Sequence, residues 1–424
     1  MSVDTQEHVP TGQLPVVVEH SRSGPAHSAG PERLVTPTFV VAWVVNFLQY
    51  LTFYMLVTTM ALYAVKSFAA SDAVGGFASS AFVVGATLAR LVSGYLVDAL
   101  GRRRMLLIAL VVVAVACALY IPAGSLPVLI AVRMVHGFGY AFASTAVMTI
   151  AQSVIPDSRR GEGTGYFALG TTLATAIGPA LGLFLVGDLD YTWLFWTTLA
   201  TAVLGLVLGI FLREPLAHQE AKAERSEFSL SDIAHPSVLP IGSFMLVVGV
   251  CYAGVITYLN AYAEERGVTT GAALFFVAYA VAMLIMRLVL GKVQDQRGDN
   301  VVVYLGLICF AVALGILAVA TQDWQVVVAG AMTGLGYGTL MPAAQAIAVS
   351  AVPAHKLGTG ISTLLLLMDV GVGVGPVVLG LLLSATGFGT MYTVLAVLVV
   401  VAAVLYHAVH GRHPHAKRGR LAVD

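Results

Sequence analysis

Charged side chains are scarce in this sequence. Only 10% of its 424 residues are Asp, Glu, Lys or Arg, and 58% are hydrophobic. Soluble globular domains carry about 25% charged residues, so the composition excludes a soluble domain and indicates a polytopic membrane protein surrounded by the lipid bilayer. The formal net charge of zero also argues against nucleic acid as a partner.

Sequence motifs for cofactor and metal chemistry are missing as well. The three cysteines, Cys117, Cys251 and Cys309, are scattered through apolar runs, which is typical of packing residues rather than of disulfides or a metal site. The sequence contains no Gly-rich phosphate loop, zinc motif or nucleophile elbow. We therefore expect no enzyme activity, no cofactor and no bound metal, and an ion gradient rather than ATP as the direct energy source.

Long apolar runs fill most of the chain. A spanning helix needs about 20 mostly apolar residues, and twelve runs are close to that length: 38–65, 73–97, 104–122, 126–152, 163–187, 191–212, 238–263, 268–292, 300–320, 324–351, 359–384 and 389–409. A charged stretch from Arg213 to His235 separates six runs from six. The sequence predicts an all-α polytopic membrane protein of 12 transmembrane helices in two pseudo-symmetric six-helix bundles, 37–212 and 238–410, joined by a linker at 213–237.

The ends of the chain and its basic residues predict the orientation. Residues 1–36 lack the basic start and apolar core of a cleavable signal, and their Ser, Pro, Gly, His and Glu content predicts a disordered tail. If this tail and the basic tail 411–424 are both cytoplasmic, 17 of the 22 Lys and Arg lie on the cytoplasmic side of the membrane. Two lie on the outer side and three lie within spans. By the positive-inside rule we expect both termini to be cytoplasmic. We expect the protein to lie in the plasma membrane.

A constant spacing relates the two halves. Four landmarks recur 197 residues later: Arg90, Gly94, Asp98 and Gly101 correspond to Arg287, Gly291, Asp295 and Gly298. The pair Gly178–Pro179 recurs at the same spacing as Gly375–Pro376. The chain is therefore an internal duplication, a pattern typical of membrane transporters.

The duplicated turn carries a resemblance to a known family. Twelve spans in two repeated halves, with the sequence Gly-Tyr-Leu-Val-Asp-Ala-Leu-Gly-Arg-Arg-Arg at 94–104, resemble the major facilitator superfamily. The resemblance implies a gate that closes the cytoplasmic side, formed by Gly94, Asp98, Gly101, Arg102, Arg103 and, in the second copy, Asp295. A carboxylate there can accept from the amino end of a facing helix, although the arginines could also serve only to set the topology.

Two further motifs resemble those of the same superfamily. Arg133, followed by Gly137 and Gly139 in the fourth span, matches an arginine that the resemblance ties to proton movement, with an arginine reaching the outer surface as the alternative. Gly178–Pro179 and Gly375–Pro376 resemble the antiporter motif and predict kinks at the interface between the halves. The fifth span departs from that motif at Ala174 and Leu183.

Asp369 is the one acidic residue near the middle of a span. A carboxylate at membrane depth is stabilised by a bound proton or by a paired cation. We therefore predict that Asp369 carries the coupling proton. The alternative is a fixed structural pair with a buried arginine, either Arg133 or Arg90.

Polar residues at membrane depth are candidates for the substrate path. The resemblance implies that helices 1, 4, 7 and 10 line a central cavity. The candidates that we select among the polar residues there are Asn46, Gln49, Tyr50, Tyr54, His136, Tyr252, Tyr258 and Gln345. Each of these side chains could instead form hydrogen bonds between helices.

The sequence as a whole predicts a secondary transporter that works by alternating access, moving protons in and a small molecule out, as a monomer. It resembles the drug and metabolite exporters of the superfamily. The segment 49–54 and the residues around Asp369 are similar to a subgroup that includes opine-metallophore exporters. The alternatives are a proton-coupled importer of a small nutrient and a membrane sensor or scaffold that transports nothing.

Overall fold

Twelve long helices make up the part of the chain that the structure describes. The computed structural model describes residues 33–212 and 233–419, and the regular structure in these ranges is helical. The helices are α1 Pro37–Phe68, α2 Asp72–Leu100, α3 Arg102–Leu119, α4 Leu126–Ser153, α5 Arg160–Phe184, α6 Tyr191–Phe211, α7 Leu239–Arg266, α8 Thr269–Arg297, α9 Asp299–Val319, α10 Asp323–Ser350, α11 Leu357–Thr386 and α12 Phe388–Tyr406. Nearly all of the predicted linker and of the amino-terminal tail, together with 420–424, lies outside the described residues.

The helices correspond one to one with the twelve predicted spans. Eleven of them are long and apolar enough to cross a membrane. The twelfth, α3, has 18 residues and opens with the three arginines 102–104, which reduces its apolar length. The all-helical, twelve-helix fold predicted from the apolar runs is confirmed.

Local sequence fixes where these helices begin and turn. At the start of α1, the Thr36 hydroxyl accepts a hydrogen bond from the Phe39 amide at 3.1 Å, and Pro37 occupies the first helical turn. Between α2 and α3, Gly101 has a φ of 96°, and Gly298 has a φ of 90° at the equivalent place between α8 and α9. These values favour glycine, so the duplicated turn keeps its glycine for a backbone reason.

The helices of the two halves pack in the same pattern. In the first half α2 packs on α4, α1 on α5 and α6, and α3 on α4 and α6. In the second half α8 packs on α10, α7 on α11 and α12, and α9 on α10 and α12. The halves meet where α5 lies against α8 and α2 lies against α11. The duplication read from the sequence is therefore also a duplication of packing.

The glycines of the Gly-Pro pairs pack within their own halves. Gly178 of α5 lies against Tyr54 of α1, and Gly375 of α11 lies against Ala253 of α7. Both α5 and α11 continue as helices through Pro179 and Pro376. The helices that carry the pairs do form the interface between halves, while the glycines themselves bring α1 and α7 close.

We expect alanine at Gly137 or Gly334 to destabilise the protein. A Cβ at Gly137 would overlap the carbonyl oxygen of Phe82 in α2, and one at Gly334 would overlap that of Tyr279 in α8. Overpacking of this kind costs about 1–3 kcal/mol, because two helix backbones must separate. Thermal unfolding of the detergent-solubilised protein measures the loss. Gly205→Ala is the matched control, since a Cβ there meets nothing within 4 Å, and equal midpoints for all three variants would contradict this account.

Candidate functional site

Asp98 joins the two halves at the end of α2. Its carboxylate accepts hydrogen bonds from the Gly358 amide at 2.9 Å, the Thr359 amide at 2.7 Å and the Thr359 hydroxyl at 2.9 Å. These donors form the first turn of α11. Amide groups at a helix amino end have no partner within the helix and carry a partial positive charge, so they favour a carboxylate.

Asp295 makes the same contact in the second copy. Its two carboxylate oxygens accept from the amides of Gly161 and Glu162, both at 2.7 Å, in the first turn of α5. The acceptor and the donors are each displaced by 197 residues from their counterparts in the first copy. The two contacts are therefore related by the pseudo-two-fold symmetry of the molecule, and we call them the paired carboxylate locks.

Glycines allow the backbones to approach at these locks. A Cβ at Gly94 would lie 2.7 Å from the Cα of Thr359, and one at Gly161 would lie 2.7 Å from the carbonyl oxygen of Gly291. Any larger side chain would push α2 from α11 or α5 from α8. The duplicated glycines of the motif thus set the distance across which the carboxylates bond.

Two arginines of the predicted gate reach different partners. The buried Arg102 donates to the carbonyl of Ala354 in the other half. Arg103 donates to the carbonyls of Leu212 at 2.7 Å and Ile210 at 2.9 Å, at the carboxyl end of α6 in its own half. Only Arg102 of these two therefore adds to the contact between halves, whereas Arg103 satisfies the end of a neighbouring helix.

The halves are closed at the end that carries the α2–α3 turn, which we call the basic end. In α11, every residue from Leu357 to Leu366 is buried, whereas later in the helix burial is confined to Gly371, Gly375 and Leu379. The crevice between α5, α8 and α10 at this end has a volume of about 10 Å³. That is room for about one water molecule, so the crevice between these helices is closed in this conformation.

Asp369 pairs with Arg90 between the halves. The Arg90 Nε lies 2.5 Å from the Asp369 Oδ2, and the side chains are 5% and 21% exposed. Arg90 belongs to α2 and Asp369 to α11, so this ion pair also joins the halves. Of the two arginines that the sequence offered as partners, the structure brings Arg90 to the carboxylate.

Arg133 holds α4 to α2 instead. It is fully buried, donates to the carbonyls of Ala78 at 3.4 Å and Ser79 at 2.8 Å, and lies over the ring of Phe82 at 5.1 Å. One turn away, His136 Nδ1 lies 3.0 Å from the Tyr120 hydroxyl. Both predicted residues thus take part in contacts within the first half.

Arg287 occupies the place of Arg90 in the second copy. Its Nη1 donates to the Ala168 carbonyl and to the Thr172 hydroxyl of α5. Thr172 stands 197 residues before Asp369. Each duplicated arginine therefore crosses to the opposite half and reaches the same position there, which is an aspartate in one copy and a threonine in the other.

Each half contains a cluster of three aromatic rings, and one ring of each cluster is on the same helix as Arg90 or Arg287. In the first half Phe53, Phe82 and Tyr140 pack together, with ring centroids 4.8 to 5.8 Å apart. In the second half, Tyr279 and Tyr337 stand 197 residues after Phe82 and Tyr140. Tyr252 stacks on Tyr337 at 3.6 Å, and its hydroxyl lies 3.4 Å from that of Tyr279. The second trio is thus wholly tyrosine.

The other predicted cavity residues are mostly interior. Tyr50 packs on Tyr54 and Tyr140, and the Tyr258 hydroxyl donates to the Pro376 carbonyl at 2.6 Å. Asn46 donates to the Thr171 hydroxyl at 3.3 Å, and Gln345 is 6% exposed. Gln49 is also 6% exposed, and neither polar atom of its side chain has a partner among the described residues.

Comparison with known proteins decides the family. The Major Facilitator Superfamily model matches residues 42–321 and 270–422, which together cover both halves. The chain belongs to the major facilitator superfamily. It is similar to the uncharacterized MFS-type transporter YhhS of Escherichia coli strain K12, with 25% identity over 381 residues, covering 87% of this chain and 91% of YhhS.

Solved structures of the superfamily share the fold. The human organic anion transporter MFSD10 superposes with a TM-score of 0.75 at 18% identity, covering 89% of this chain and 99% of MFSD10. The transporter FucP in its outward conformation superposes with a TM-score of 0.72 at 16% identity, with the same coverage. The family model and the similarity to YhhS, together with this shared fold, make the chain a major facilitator superfamily transporter. Membership supports transport over the alternative of a sensor or scaffold.

Sequence reasoning about this superfamily member missed Arg287, Tyr279 and Tyr337 as candidate site residues. The spacing of 197 residues was the signal that could have found them, because it pairs Arg287 with Arg90. Among residues 33–212 and 233–419, no three His, Cys, Asp or Glu side chains are placed to hold a metal ion. The chemistry of the centre thus rests on two arginines, one carboxylate and a set of phenols.

Proposed function

We propose that this transporter exports a small molecule in exchange for protons. The observation that carries the proposal is the ion pair of Arg90 and Asp369 at membrane depth, which joins α2 of one half to α11 of the other. A carboxylate at a moving interface can couple a proton to a conformational change, because its charge decides whether the interface holds together.

The coupling follows from the charges of the pair. While Asp369 is ionised, its attraction to Arg90 favours contact between the halves. When a proton binds the carboxylate, that attraction is lost and Arg90 is left without its counter-charge, so the halves can separate more easily. Proton binding and release at Asp369 would then bias the equilibrium between the two conformations.

The paired carboxylate locks hold the two halves together at the basic end, so they favour one of the two conformations. We place the basic end in the cytoplasm on the positive-inside rule, and in this proposal the conformation is the one closed toward the cytoplasm. Opening requires that Asp98 and Asp295 leave the first turns of α11 and α5. In the proposed cycle a proton enters from outside to Asp369, the locks open, the substrate binds from the cytoplasm, and the proton leaves inward.

Finer expectations belong to the same proposal. We assign the protein to the plasma membrane as a monomer with both termini in the cytoplasm, among the drug and metabolite exporters and near the subgroup that includes opine-metallophore exporters. Arg133 keeps its proposed part in proton movement through its position in the fourth span. MFSD10 is named an organic anion transporter and FucP a fucose:proton symporter, so the shared fold itself accommodates different cargoes and does not decide direction.

Export from whole cells tests the proposal. A host stripped of its own pumps would express the protein or carry an empty vector, and efflux of preloaded cationic drugs, sugars, metallophores and organic anions would be followed with and without a protonophore. We expect at least one compound to leave faster only when the protein is present and the proton gradient is intact. Efflux that persists unchanged after the protonophore would contradict proton coupling.

Uptake is the second candidate function. The fifth-span motif departs from the antiporter pattern at Ala174 and Leu183, and the Arg90–Asp369 pair could couple protons to movement in either direction. Accumulation of a labelled nutrient that depends on the protein and on the gradient, without export of any compound in the panel, would favour an importer.

A further inference from the structure

The charges inside the membrane region are not balanced between the two copies. Arg90 has Asp369 as its counter-ion, whereas Arg287 contacts a carbonyl and a hydroxyl. Its Nε has no hydrogen-bond partner among the described residues, and the side chain is partly exposed. A guanidinium at membrane depth without a counter-charge is costly and is typical of a functional site.

The duplication shows which group is missing. Arg287 reaches Thr172 just as Arg90 reaches Asp369, and both pairs are related by the spacing of 197 residues. The carboxylate present in one copy is therefore replaced in the other by a hydroxyl. From this asymmetry we propose that the carboxylate of a small organic anion, the transported substrate, binds at Arg287 and takes the place that Asp369 occupies beside Arg90.

The surroundings of Arg287 fit such a ligand. Tyr279, Tyr54, Tyr337 and Tyr50 are the electrostatic partners of its guanidinium, whereas the tyrosine partners of Arg90 are Tyr140 and Tyr50. Tyr252 is stacked on Tyr337. Two positions that are phenylalanine in the first trio are tyrosine in the second: Tyr279 corresponds to Phe82 by spacing, and Tyr252 holds the place on α7 that Phe53 holds on α1. The phenol groups therefore concentrate on the side of Arg287.

These groups select a chemical class. A guanidinium presents parallel N–H donors that match the two oxygens of a carboxylate, and phenol hydroxyls can donate to the same oxygens. The faces of stacked tyrosines pack well against a flat or apolar body. The substrate class is thus a carboxylate with an aromatic or aliphatic body. With three arginines and one carboxylate within the spans, cations are disfavoured at the centre.

This inference rests on the proposed function only in placing the ligand in the same central site. Equilibrium binding to the purified protein needs no proton gradient, so failure of anion binding and failure of proton-coupled export can be distinguished.

Binding of matched compounds to the protein in lipid nanodiscs tests the inference. Three carboxylates, benzoate, indole-3-acetate and octanoate, would each be compared with the neutral amide and with the corresponding amine. We expect at least one carboxylate to bind at least about tenfold more tightly than its amide and its amine. Arg287→Gln should remove that difference, and Arg287→Lys should keep part of it. Equal affinity for anion and amide throughout, or no binding of any carboxylate, overturns the proposal.

A pair of substitutions at Thr172 supplies two readouts, thermal stability without a ligand and carboxylate binding. Thr172→Asp places an internal counter-ion beside Arg287, so it should raise the thermal midpoint of the ligand-free protein by at least about 2 °C and weaken carboxylate binding at least about tenfold. Thr172→Asn introduces a side chain of the same size as aspartate but without charge, so it should neither raise the thermal midpoint nor weaken carboxylate binding. A Thr172→Asp variant that is less stable than Thr172→Asn, or that binds carboxylates as the wild type does, would show that Arg287 needs no anion.

Discussion

Asp369→Asn is expected to lower proton-driven export at least about tenfold and to make the remaining transport insensitive to the proton gradient. Asparagine has nearly the same shape but cannot ionise, so it cannot carry a proton between the two sides. It also leaves Arg90, 5% exposed, without its counter-charge. Breaking a buried pair in this way costs about 3–5 kcal/mol, and each 1.4 kcal/mol is a tenfold change in an equilibrium. Efflux from energised cells, with and without a protonophore, measures both effects.

Two further variants separate coupling from folding. In the double variant Arg90→Gln/Asp369→Asn both charges are gone, so thermal stability should recover relative to the single variant while gradient dependence stays absent. Asp369→Glu keeps a titratable carboxyl group and should retain part of the coupled transport. If Asp369→Asn exports at the wild-type rate with the wild-type dependence on the gradient, Asp369 is a structural partner of Arg90 and the proton is carried elsewhere.

Asp98→Ala is expected to shift the protein from the form closed at the basic end to the open form. Three hydrogen bonds to the first turn of α11 are lost, each with a charged acceptor. A net loss of about 3 kcal/mol, allowing for water that replaces the carboxylate, changes the ratio of closed to open molecules roughly a hundredfold. Because transport needs both conformations, turnover should fall as well.

The distance across the basic end measures this shift. Spin labels at Ala99→Cys and His355→Cys, both exposed positions on opposite halves, would report separation of α2 from the start of α11. Asp295→Ala should act in the same direction, since it removes the symmetry-related lock. Asp157→Asn is the control, because that carboxylate is 91% exposed and its ion pair, with Arg160, lies within its own half. An unchanged distance distribution in both alanine variants would mean that the locks do not hold the gate.

Much of the fold could be predicted because the bilayer simplifies the relation between sequence and structure. Each apolar run must satisfy its backbone hydrogen bonds internally, so length and polarity alone locate a helix. The run 104–122 shows the limit: the helix there begins at Arg102, because the amino end of a helix can extend past the apolar core while its arginines bond to neighbouring groups. Turn glycines at 101 and 298 were also predictable, since the repeat marks them.

The sequence alone could not predict which residues contact each other across the interface between the two halves. A carboxylate facing a helix amino end was expected for Asp98, but α11 and α5 could not be named as the helices. Arg90 and Asp369 are 279 residues apart, and only the packing of α2 on α11 chooses Arg90 over Arg133. Arg287 was recognised as an arginine within a span but not as a site residue, because its meaning depends on Thr172 standing opposite it.

The paired carboxylate locks have a further consequence for how the molecule is built. Asp98 of the first half contacts Gly358 of the second, while Asp295 of the second contacts Gly161 of the first. An interface in which position i meets position j, and j meets i, is isologous, as in a symmetric homodimer. The two halves of the chain therefore contact each other in the pattern expected of a dimer of half-length subunits. Fusion into one chain allowed equivalent positions to diverge, so that one copy holds an aspartate and the other a threonine opposite the same arginine.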